Sequence, residues 1–268
     1  MRELAKRDER DAEFRQGQLP AVQAVERVVC GCDYGGTSWA TRDEVDQIAV
    51  ALELAPGVGL LEVGAGSGWP ALYLSGQSGC DVTLVDLPLE GIRIAVGRAA
   101  VDGLSGNCLA VVADAAHLPF RDDCFNVINH CDVLCCLLQK REALAECLRV
   151  VQPDGRMAFL VIYIVAGLSA ADHARAVETA PELAASDTDY PTLLATTGWA
   201  IRQRHDLTAE FMASCIRKLR VEEDLRADLE PLYGASEFDA RHAWMRRRIP
   251  VLEQRHIRRE LFIVEPAE

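Results

Sequence analysis

A glycine-rich turn, GAGSG over residues 64–68, is the stretch of this sequence whose residue types best suit ligand binding. It follows the apolar run GLLEV and precedes a stretch of helical character, so we predict that it joins a strand to a helix. Gly64, Gly66 and Gly68 occupy alternate positions, where glycine permits unusual backbone angles and lets a ligand approach the main chain closely. Such a turn alone is weak evidence for a ligand-binding site, so the residues around it must be considered.

Acidic residues accompany this turn at the ends of neighbouring predicted strands. Asp86 ends the second strand, where a carboxylate can accept both hydroxyls of a ribose, and Asp114 ends the third. Glu62 lies in the apolar run before the turn, and a buried acid is costly unless a backbone N–H or a ligand cation satisfies it. Each acid alone is more often a cap or turn residue. Together they favour a ligand site, because ligands bind outside the carboxyl ends of parallel strands.

Short apolar runs that alternate with amphipathic stretches predict the elements that hold these residues. Continuous apolar strands between helices are typical of a doubly wound α/β sheet with both faces covered. A helix capped by Thr41 or Asp43 follows a glycine-rich loop. The expected strands cover residues 59–64, 81–87, 108–114, 125–130, 156–163, 200–207 and 258–266. The expected helical regions cover residues 1–29, 69–77, 89–102, 138–150, 166–198 and 208–256.

The composition limits the classes of partner. The chain has 268 residues with 28 basic and 41 acidic side chains, and its net charge of −13 makes nucleic acid an unfavourable partner. No apolar stretch approaches the ~20 residues that cross a bilayer, and the charged start is unlike a signal peptide. Ten cysteines without a targeting segment lead us to expect a reducing cytoplasm. The basic runs at 245–248 and 255–260 are interpreted as a solvated helix face.

A dinucleotide site fits the turn poorly, because the spacing is G-x-G-x-G and no Walker lysine is present. The arrangement instead resembles the class I S-adenosylmethionine-dependent methyltransferases, especially the small-molecule group with the ubiquinone/menaquinone, sarcosine and phosphoethanolamine enzymes. LLEVGAGSGWPALYL resembles the first motif of that family, and VTLVDLP resembles the second. VVADAAHLPFRDDCFNVI resembles the third and fourth, and ALAECLRVVQPDGRMAFL the following helix, turn and strand. The resemblance covers residues 34–165 well and 190–266 loosely.

The resemblance implies a Rossmann-like sheet of seven strands with the last strand antiparallel, and S-adenosyl-L-methionine as the cofactor. It also implies an N-terminal helical lid and helical insertions. Asp86 would bind the ribose, and Leu87 would lie beside the adenine. Asp114 and Ala115 would hold the adenine edge. The residues implied to line the methionine part are Glu62, Gly64, Ala65, Gly66 and Gly68.

The segment DYGGTSW resembles the loop that closes over the cofactor in this group, which makes Tyr34, Ser38 and Trp39 candidates for a lid. Trp39 can equally pack on the core. Methyl transfer from a sulfonium needs positioning and exclusion of water, and a base only where the acceptor must lose a proton. His130, at the end of the fourth strand, is the candidate base, with a cofactor contact or a strand-end hydrogen bond as alternatives. Tyr163 either shapes the acceptor pocket or packs.

Cysteines raise a rival hypothesis, since arsenic methyltransferases of related fold use them. Structural zinc sites usually have C-x₂₋₄-C pairs, which CGC at 30–32 and the adjacent Cys135 and Cys136 do not match, so we predict no metal site. Members of the resembled family often have a Glu-His pair at the positions of Cys135 and Cys136, and an Asp at the position of Asn126. Because small thiols replace the Glu-His pair here, we expect a more apolar cleft wall that holds less water. Cys131, Cys135 and Cys136 are interpreted as packing residues. The cysteines interpreted as core are Cys80, Cys108, Cys124, Cys147 and Cys215.

We therefore expect a methyltransferase that acts on a small organic acceptor, with the oligomeric state left open. The alternatives are a cysteine-rich metalloid-binding or metalloid-methylating protein and a cofactor-binding module without catalysis. Residues 1–55 would form N-terminal helices and the cofactor-covering loop, and residues 56–165 the S-adenosylmethionine-binding core. Residues 166–268 would form acceptor-cap helices and the last two strands.

Overall fold

A seven-stranded sheet lies at the centre of the protein, in a computed structural model that describes residues 2–186 and 188–267. The order across the sheet is β3-β2-β1-β4-β5-β7-β6. The strands are β1 (Gly59–Val63), β2 (Asp81–Asp86), β3 (Cys108–Val112), β4 (Phe125–Cys131), β5 (Val151–Ile164), β6 (Trp199–Asp206) and β7 (Ile257–Pro266).

The strand directions agree with the expected sheet. Strands β1 to β5 pair in parallel with their neighbours, and β7 runs antiparallel between β5 and β6. The chain builds β1, β2 and β3 outward in one direction and then crosses to β4 on the other side of β1. The carboxyl ends of β1 and β4 therefore flank a topological switch point, where open α/β sheets bind ligands. The predicted Rossmann-like sheet with an antiparallel last strand is confirmed.

Helices cover both faces of the sheet. The helices before the sheet are α1 (Arg2–Gly17), α2 (Pro20–Val29) and α3 (Arg42–Ala51). Those between the first strands are α4 (Ala71–Ser78), α5 (Leu89–Asp102) and α6 (Lys140–Val150), with a 3₁₀ helix (Leu134–Cys136) after β4. Those of the second half are α7 (Ala170–Thr179), α8 (Tyr190–Thr196), α9 (Thr208–Asp224), α10 (Arg226–Tyr233) and α11 (Ala235–Glu253). None of these described helices is long and apolar enough to cross a membrane.

Local sequence explains where these elements begin and which way they face. Thr41, rather than Asp43, caps α3 in a capping box with Glu44, whose carboxylate accepts the Thr41 N–H at 2.9 Å. Along β5, Phe159 lies in one hydrophobic cluster and Leu160 in the other, because successive side chains of a strand point to opposite faces. The sheet is therefore buried on both sides, as a doubly wound fold requires.

The basic runs do not form a solvated helix face, so that prediction is wrong. In α11, Arg246 and Arg247 are exposed, but Arg248 is only 2% exposed, since it returns to the core-facing side one turn after Met245. The second run enters β7 at Ile257, and Arg259 there is fully buried. Both arginines lie near the candidate site.

Candidate active site

The glycine-rich turn lies between β1 and α4, at the carboxyl edge of the sheet. The N–H groups of Gly64 and Ala65 both donate to the Val85 carbonyl, at 2.7 and 3.0 Å, which ties the turn to β2. Gly66 has a φ of 50°, and a Cβ there would lie 2.9 Å from the Phe14 ring. Glycine is therefore required at Gly66 by both backbone conformation and space.

Glu62 is a fully buried carboxylate directly before the turn. Its oxygens accept from Asn129 Nδ2 at 3.0 and 2.8 Å, and no cationic side chain of the described residues pairs with it. Burial raises the pKa of Glu62 well above its ordinary range, and the Asn129 hydrogen bond only partly opposes this. Ser67 Oγ and Asn129 Oδ1 are also buried, and neither has a hydrogen-bond partner in the described part of the chain. These atoms suit a cationic, hydrogen-bonding ligand group.

Asp86 ends β2 as predicted and contacts the turn directly. One carboxylate oxygen accepts the Gly66 N–H at 2.7 Å, and the other accepts the Leu87 N–H at 2.8 Å. Burial raises the pKa of Asp86 from 3.8 to about 6, although these two N–H groups oppose the shift. A carboxylate has further lone pairs beyond the two in use, so Asp86 can still accept hydroxyl groups of a ligand.

The residues expected around an adenine lie along the same edge. Strand β3 ends at Val112, so Asp114 lies just past the strand rather than at its last position. Its carboxylate accepts the Ala116 N–H at 2.9 Å, and Ala115 between them is partly buried. Leu87 is 43% exposed. An exposed apolar side chain beside backbone polar groups suits a flat aromatic ligand.

Helix α1 lies across this half of the edge. The Phe14 ring is 4% exposed and packs on Gly66 and Gly91, and Asp11 accepts the Glu90 N–H at 2.9 Å at the start of α5. The charge of Arg10 partly lowers the pKa of Asp86, so Arg10 is also close. These residues of α1 were not among the predicted site residues. The available signal was one aromatic side chain within a highly charged helix.

Two of the three lid candidates are joined to the end of β4. Ser38 Oγ and the Trp39 N–H both donate to one oxygen of Asp132, at 3.0 and 2.9 Å. The Trp39 ring meets Phe211 edge-on with centroids 5.1 Å apart. Tyr34 lies elsewhere, against Trp69 at 5.3 Å and under the Arg98 guanidinium at 3.7 Å.

A buried ion triad holds Asp132 in turn. Arg259 Nε donates to the other oxygen of Asp132 at 3.1 Å, and Arg259 Nη1 donates to Glu44 at 2.7 Å. Burial alone would lower the pKa of Arg259, but the charges of Asp132 and Glu44 reverse this and raise it. Asp132 has a φ of 58°, a left-handed conformation that Asp tolerates better than most residues. The triad of Arg259, Asp132 and Glu44 therefore fixes the loop before α3 to the ends of β4 and β7.

His130 lies inside the sheet's aromatic packing. Its ring stacks on Phe159 with centroids 4.8 Å apart, and both ring nitrogens are buried without a hydrogen-bond partner among the described residues. Burial lowers the pKa of His130 to about 3, although the charge of Asp132 opposes this. Its imidazole is therefore neutral near pH 7 and a weak proton acceptor.

Tyr163 belongs to the same aromatic packing, at the end of β5. Its ring lies 5.3 Å from Tyr190, and its hydroxyl accepts from Arg204 at 3.2 Å. Burial raises the pKa of Tyr163 to about 12. The side chain thus packs and is hydrogen-bonded, and it belongs to the aromatic cluster that contains His130 rather than to the one around Tyr34.

The cysteines after β4 are not all packing residues. Cys131 and Cys135 are buried, but Cys136 is exposed, with its Sγ 4.0 Å from that of Cys135 and 3.6 Å from Arg10. The hydrogen bond with Cys135 lowers the pKa of Cys136 to about 7. Cys124 is also exposed, so the prediction of a core residue is wrong there, because the turn before β4 leaves it at the surface. No group of three or more His, Cys, Asp and Glu residues in the described ranges could hold a metal ion.

Comparisons with known proteins identify the central region. Residues 61–159 match the family model described as a methyltransferase domain. This region is a methyltransferase domain. The match contains the glycine turn, Asp86 and the end of β4, so it coincides with the site described above.

Related methyltransferases extend the similarity beyond this domain. The chain is 28% identical over 172 residues to Methyltransferase GfsG of Streptomyces halstedii, which covers 62% of this chain and 61% of the relative. It is 26% identical over 204 residues to 27-O-demethylrifamycin SV methyltransferase of Amycolatopsis mediterranei (strain S699), with 75% of each covered. The chain thus spans less than two thirds of GfsG.

A solved structure shows the same fold. The Haemonchus contortus phosphoethanolamine N-methyltransferase 2 in complex with S-adenosyl-L-methionine superposes with a TM-score of 0.78 at 13% identity, over 97% of this chain and 60% of that one. The predicted relationship to S-adenosylmethionine-dependent methyltransferases is confirmed.

Proposed function

We propose that this methyltransferase moves the methyl group of S-adenosylmethionine to a small organic acceptor by in-line displacement and releases S-adenosylhomocysteine. The observation that carries the proposal is the 2.7 Å hydrogen bond between Asp86 and the glycine turn, next to buried Glu62, inside the methyltransferase domain. A small organic acceptor is supported by the relative named for 27-O-demethylrifamycin SV.

The residues present fit this cofactor. Glu62, a buried acid that lacks a cationic partner among the described residues, suits the ammonium group of the methionine part. Asp86 would take the ribose hydroxyls, and Leu87 with Asp114 and Ala115 would hold the adenine. The bound cofactor supplies a methyl group that its sulfonium charge already activates.

The chain's own contribution is then mainly positioning and exclusion of water. Phe14 of α1 covers the turn, and hydrogen bonds to Asp132 hold Ser38 and Trp39 over the end of β4. We propose that these residues close the site around both reactants. His130 with a pKa of about 3 takes up a proton poorly and both its ring nitrogens are buried, so its predicted role as base requires a rearrangement that brings a ring nitrogen to the acceptor.

The same proposal covers the cellular location and the binding partners of the protein. Ten free cysteines support a reducing cytoplasm. The net charge of −13 supports a small molecule rather than nucleic acid as partner.

Titration calorimetry with S-adenosylmethionine and S-adenosylhomocysteine tests the cofactor part. We expect wild-type binding in the micromolar range and about 10- to 100-fold weaker binding for Asp86→Asn. Asp154→Asn is the matched control, because Asp154 is exposed at the amino end of β5, on the opposite edge of the sheet. Absence of wild-type binding at roughly millimolar cofactor would overturn the proposal.

A screen of small organic compounds for S-adenosylhomocysteine release tests the transfer step. Release that depends on one compound class supports an enzyme. Cofactor binding without release from any compound would instead favour the non-catalytic module. The same assay with His130→Ala, followed from pH 5 to 9, decides whether a base acts there: an unchanged pH profile removes His130 from the chemistry.

A further inference from the structure

Arg248 is a buried cation that is not paired with an anion in the described part of the chain. It lies on α11 and is 2% exposed, and no carboxylate of the described residues forms an ion pair with it. Its Nε donates to the Thr179 carbonyl at 2.6 Å, at the end of α7. Its guanidinium carbon lies 3.9 Å from the centroid of the Trp244 ring. Burial lowers the pKa of Arg248, and the Cys215 thiol opposes this only in part.

This arrangement leaves most of the charge uncompensated. A carbonyl at a helix end and an aromatic face both favour a cation, but neither is a counter-ion. Buried charges in proteins are normally paired, because an isolated ion loses its hydration without replacement. The other guanidinium N–H groups form a planar fork that matches an oxyanion with two oxygens.

A buried donor without a partner in the described part of the chain lies in the same region. The Tyr190 hydroxyl is buried and has no hydrogen-bond partner within the described residues. The Cys135 thiol, just beyond β4, is near enough to raise the pKa of both Tyr190 and Arg248. Phe211, whose ring lies 5.7 Å from the Arg248 guanidinium carbon, also contacts the lid residue Trp39. Both donors therefore lie beyond β4 and under the helices of the second half, where we place the acceptor.

We propose that the methyl acceptor carries an anionic group and that Arg248 is its counter-ion, with the Tyr190 hydroxyl as a second donor. The inference rests on the proposed function and deepens it. A carboxylate and a phosphate share the required chemistry, and a neutral or cationic acceptor does not. The apolar remainder of such an acceptor would lie against aromatic side chains such as Trp39 and Phe211.

Ligand-observed NMR on the full chain saturated with S-adenosylhomocysteine tests this, since the product fills the cofactor site. The probes are benzoate, phenyl phosphate, benzyl alcohol and benzylamine. We expect one or both anions to bind about tenfold or more tightly than the neutral and cationic probes. Benzoate against phenyl phosphate tells which anion the site prefers.

Variants decide whether Arg248 is responsible. Arg248→Met should lose the preference for anions, and Arg248→Lys should retain part of it because it keeps the charge without the fork. Arg246→Met, an exposed neighbour on the same helix, should bind like the wild type. An equal affinity for neutral probes, no binding of either anion, or unchanged anion binding by Arg248→Met overturns the inference. Calorimetry with S-adenosylhomocysteine on the same samples keeps failure of this inference distinct from failure of the proposed function.

Discussion

Arg259 and Arg248 are both buried beside the Phe211 ring, each with its guanidinium carbon 5.7 Å from the ring centroid, yet their surroundings are opposite. Arg259 pairs with Asp132 and Glu44, and these charges raise its pKa despite burial. Arg248 has no carboxylate partner among the described residues, and burial lowers its pKa. The first charge is satisfied within the fold, whereas the second remains available to a ligand.

The same distinction separates the carboxylates of the site. Asp132 is held by Arg259, Ser38 and the Trp39 N–H, so its role is to fasten the loop. Glu62 and Asp86 form no ion pair with a cation of the described residues, and burial raises the pKa of both. Unpaired acids thus lie where we propose the cofactor binds, and an unpaired cation lies where we propose the acceptor binds. A group whose charge the fold leaves unmatched is a better candidate for ligand binding than one the fold has neutralised.

The largest effect should follow from breaking the satisfied charge. Arg259→Met leaves Asp132 and Glu44 buried without their cation, so we expect a loss of about 3–5 kcal/mol in the free energy of unfolding. Urea denaturation monitored by circular dichroism measures it. Arg258→Met is the control, because the Arg258 side chain is 35% exposed and its carboxylate partner Glu260 is 3.8 Å away. A loss of less than about 1 kcal/mol for Arg259→Met would show that the triad is not a stabilising unit.

The next largest effect should be the change in stability with pH that Asp86 causes. Its folded-state pKa of about 6 lies above the ordinary 3.8, so the folded protein favours the protonated acid. Its contribution to stability is therefore full below about pH 4 and is lost as pH rises towards 6. Because its carboxylate is partly solvated, we expect the loss to be about 1–2 kcal/mol. Urea denaturation from pH 4 to 7 should show a smaller decline for Asp86→Asn than for the wild type, and parallel curves would contradict the assignment.

Much of the fold and of the cofactor side was predictable because the signals are local. The run before the turn, the turn itself and Asp86 lie within a stretch of 28 residues, and the hydrogen bond from Gly66 to Asp86 spans 20 residues. Thr41 and Glu44 form the cap of α3 from a separation of three residues. Hydrophobic periodicity and helix capping both act between residues that are this close in sequence.

The two arginines were missed because their burial depends on residues far away in sequence. Arg259 is 127 residues from Asp132 and 215 from Glu44. Arg248 is 69 residues from the Thr179 carbonyl. A run of basic residues carries no sign of such partners, so its usual solvated state was expected. In RRELFIVEP, Arg259 shares a strand face with Leu261 and Ile263, and this was a local signal of an inward-facing charge.

Replacing the unsatisfied charge should have a smaller effect on stability than replacing the satisfied one. Arg248→Met loses the hydrogen bond to Thr179 and the contacts with Trp244 and the Cys215 thiol, but it also removes the cost of burying an incompletely compensated charge. We expect the free energy of unfolding to stay within about 1 kcal/mol of the wild type. A loss as large as that of Arg259→Met would mean that Arg248 is a structural link between α11 and α7, and it would break the comparison.

The smallest effect should come from the hydroxyls of Tyr163 and Tyr190. One of these uncharged groups has a partner in the described part of the chain and the other does not, as with the two arginines. Tyr190→Phe removes a buried hydroxyl that has no partner among the described residues, so stability should be unchanged or rise by up to about 1 kcal/mol. Tyr163→Phe removes the acceptor of the 3.2 Å hydrogen bond from Arg204 and should cost about 0.5–1.5 kcal/mol. Urea denaturation of both variants measures the difference. If Tyr190 donates to the acceptor, its variant should also weaken benzoate binding several-fold while Tyr163→Phe does not. Equal losses of stability would show that Tyr190 has a protein partner after all, and only Arg248 would then remain as a donor for the anion.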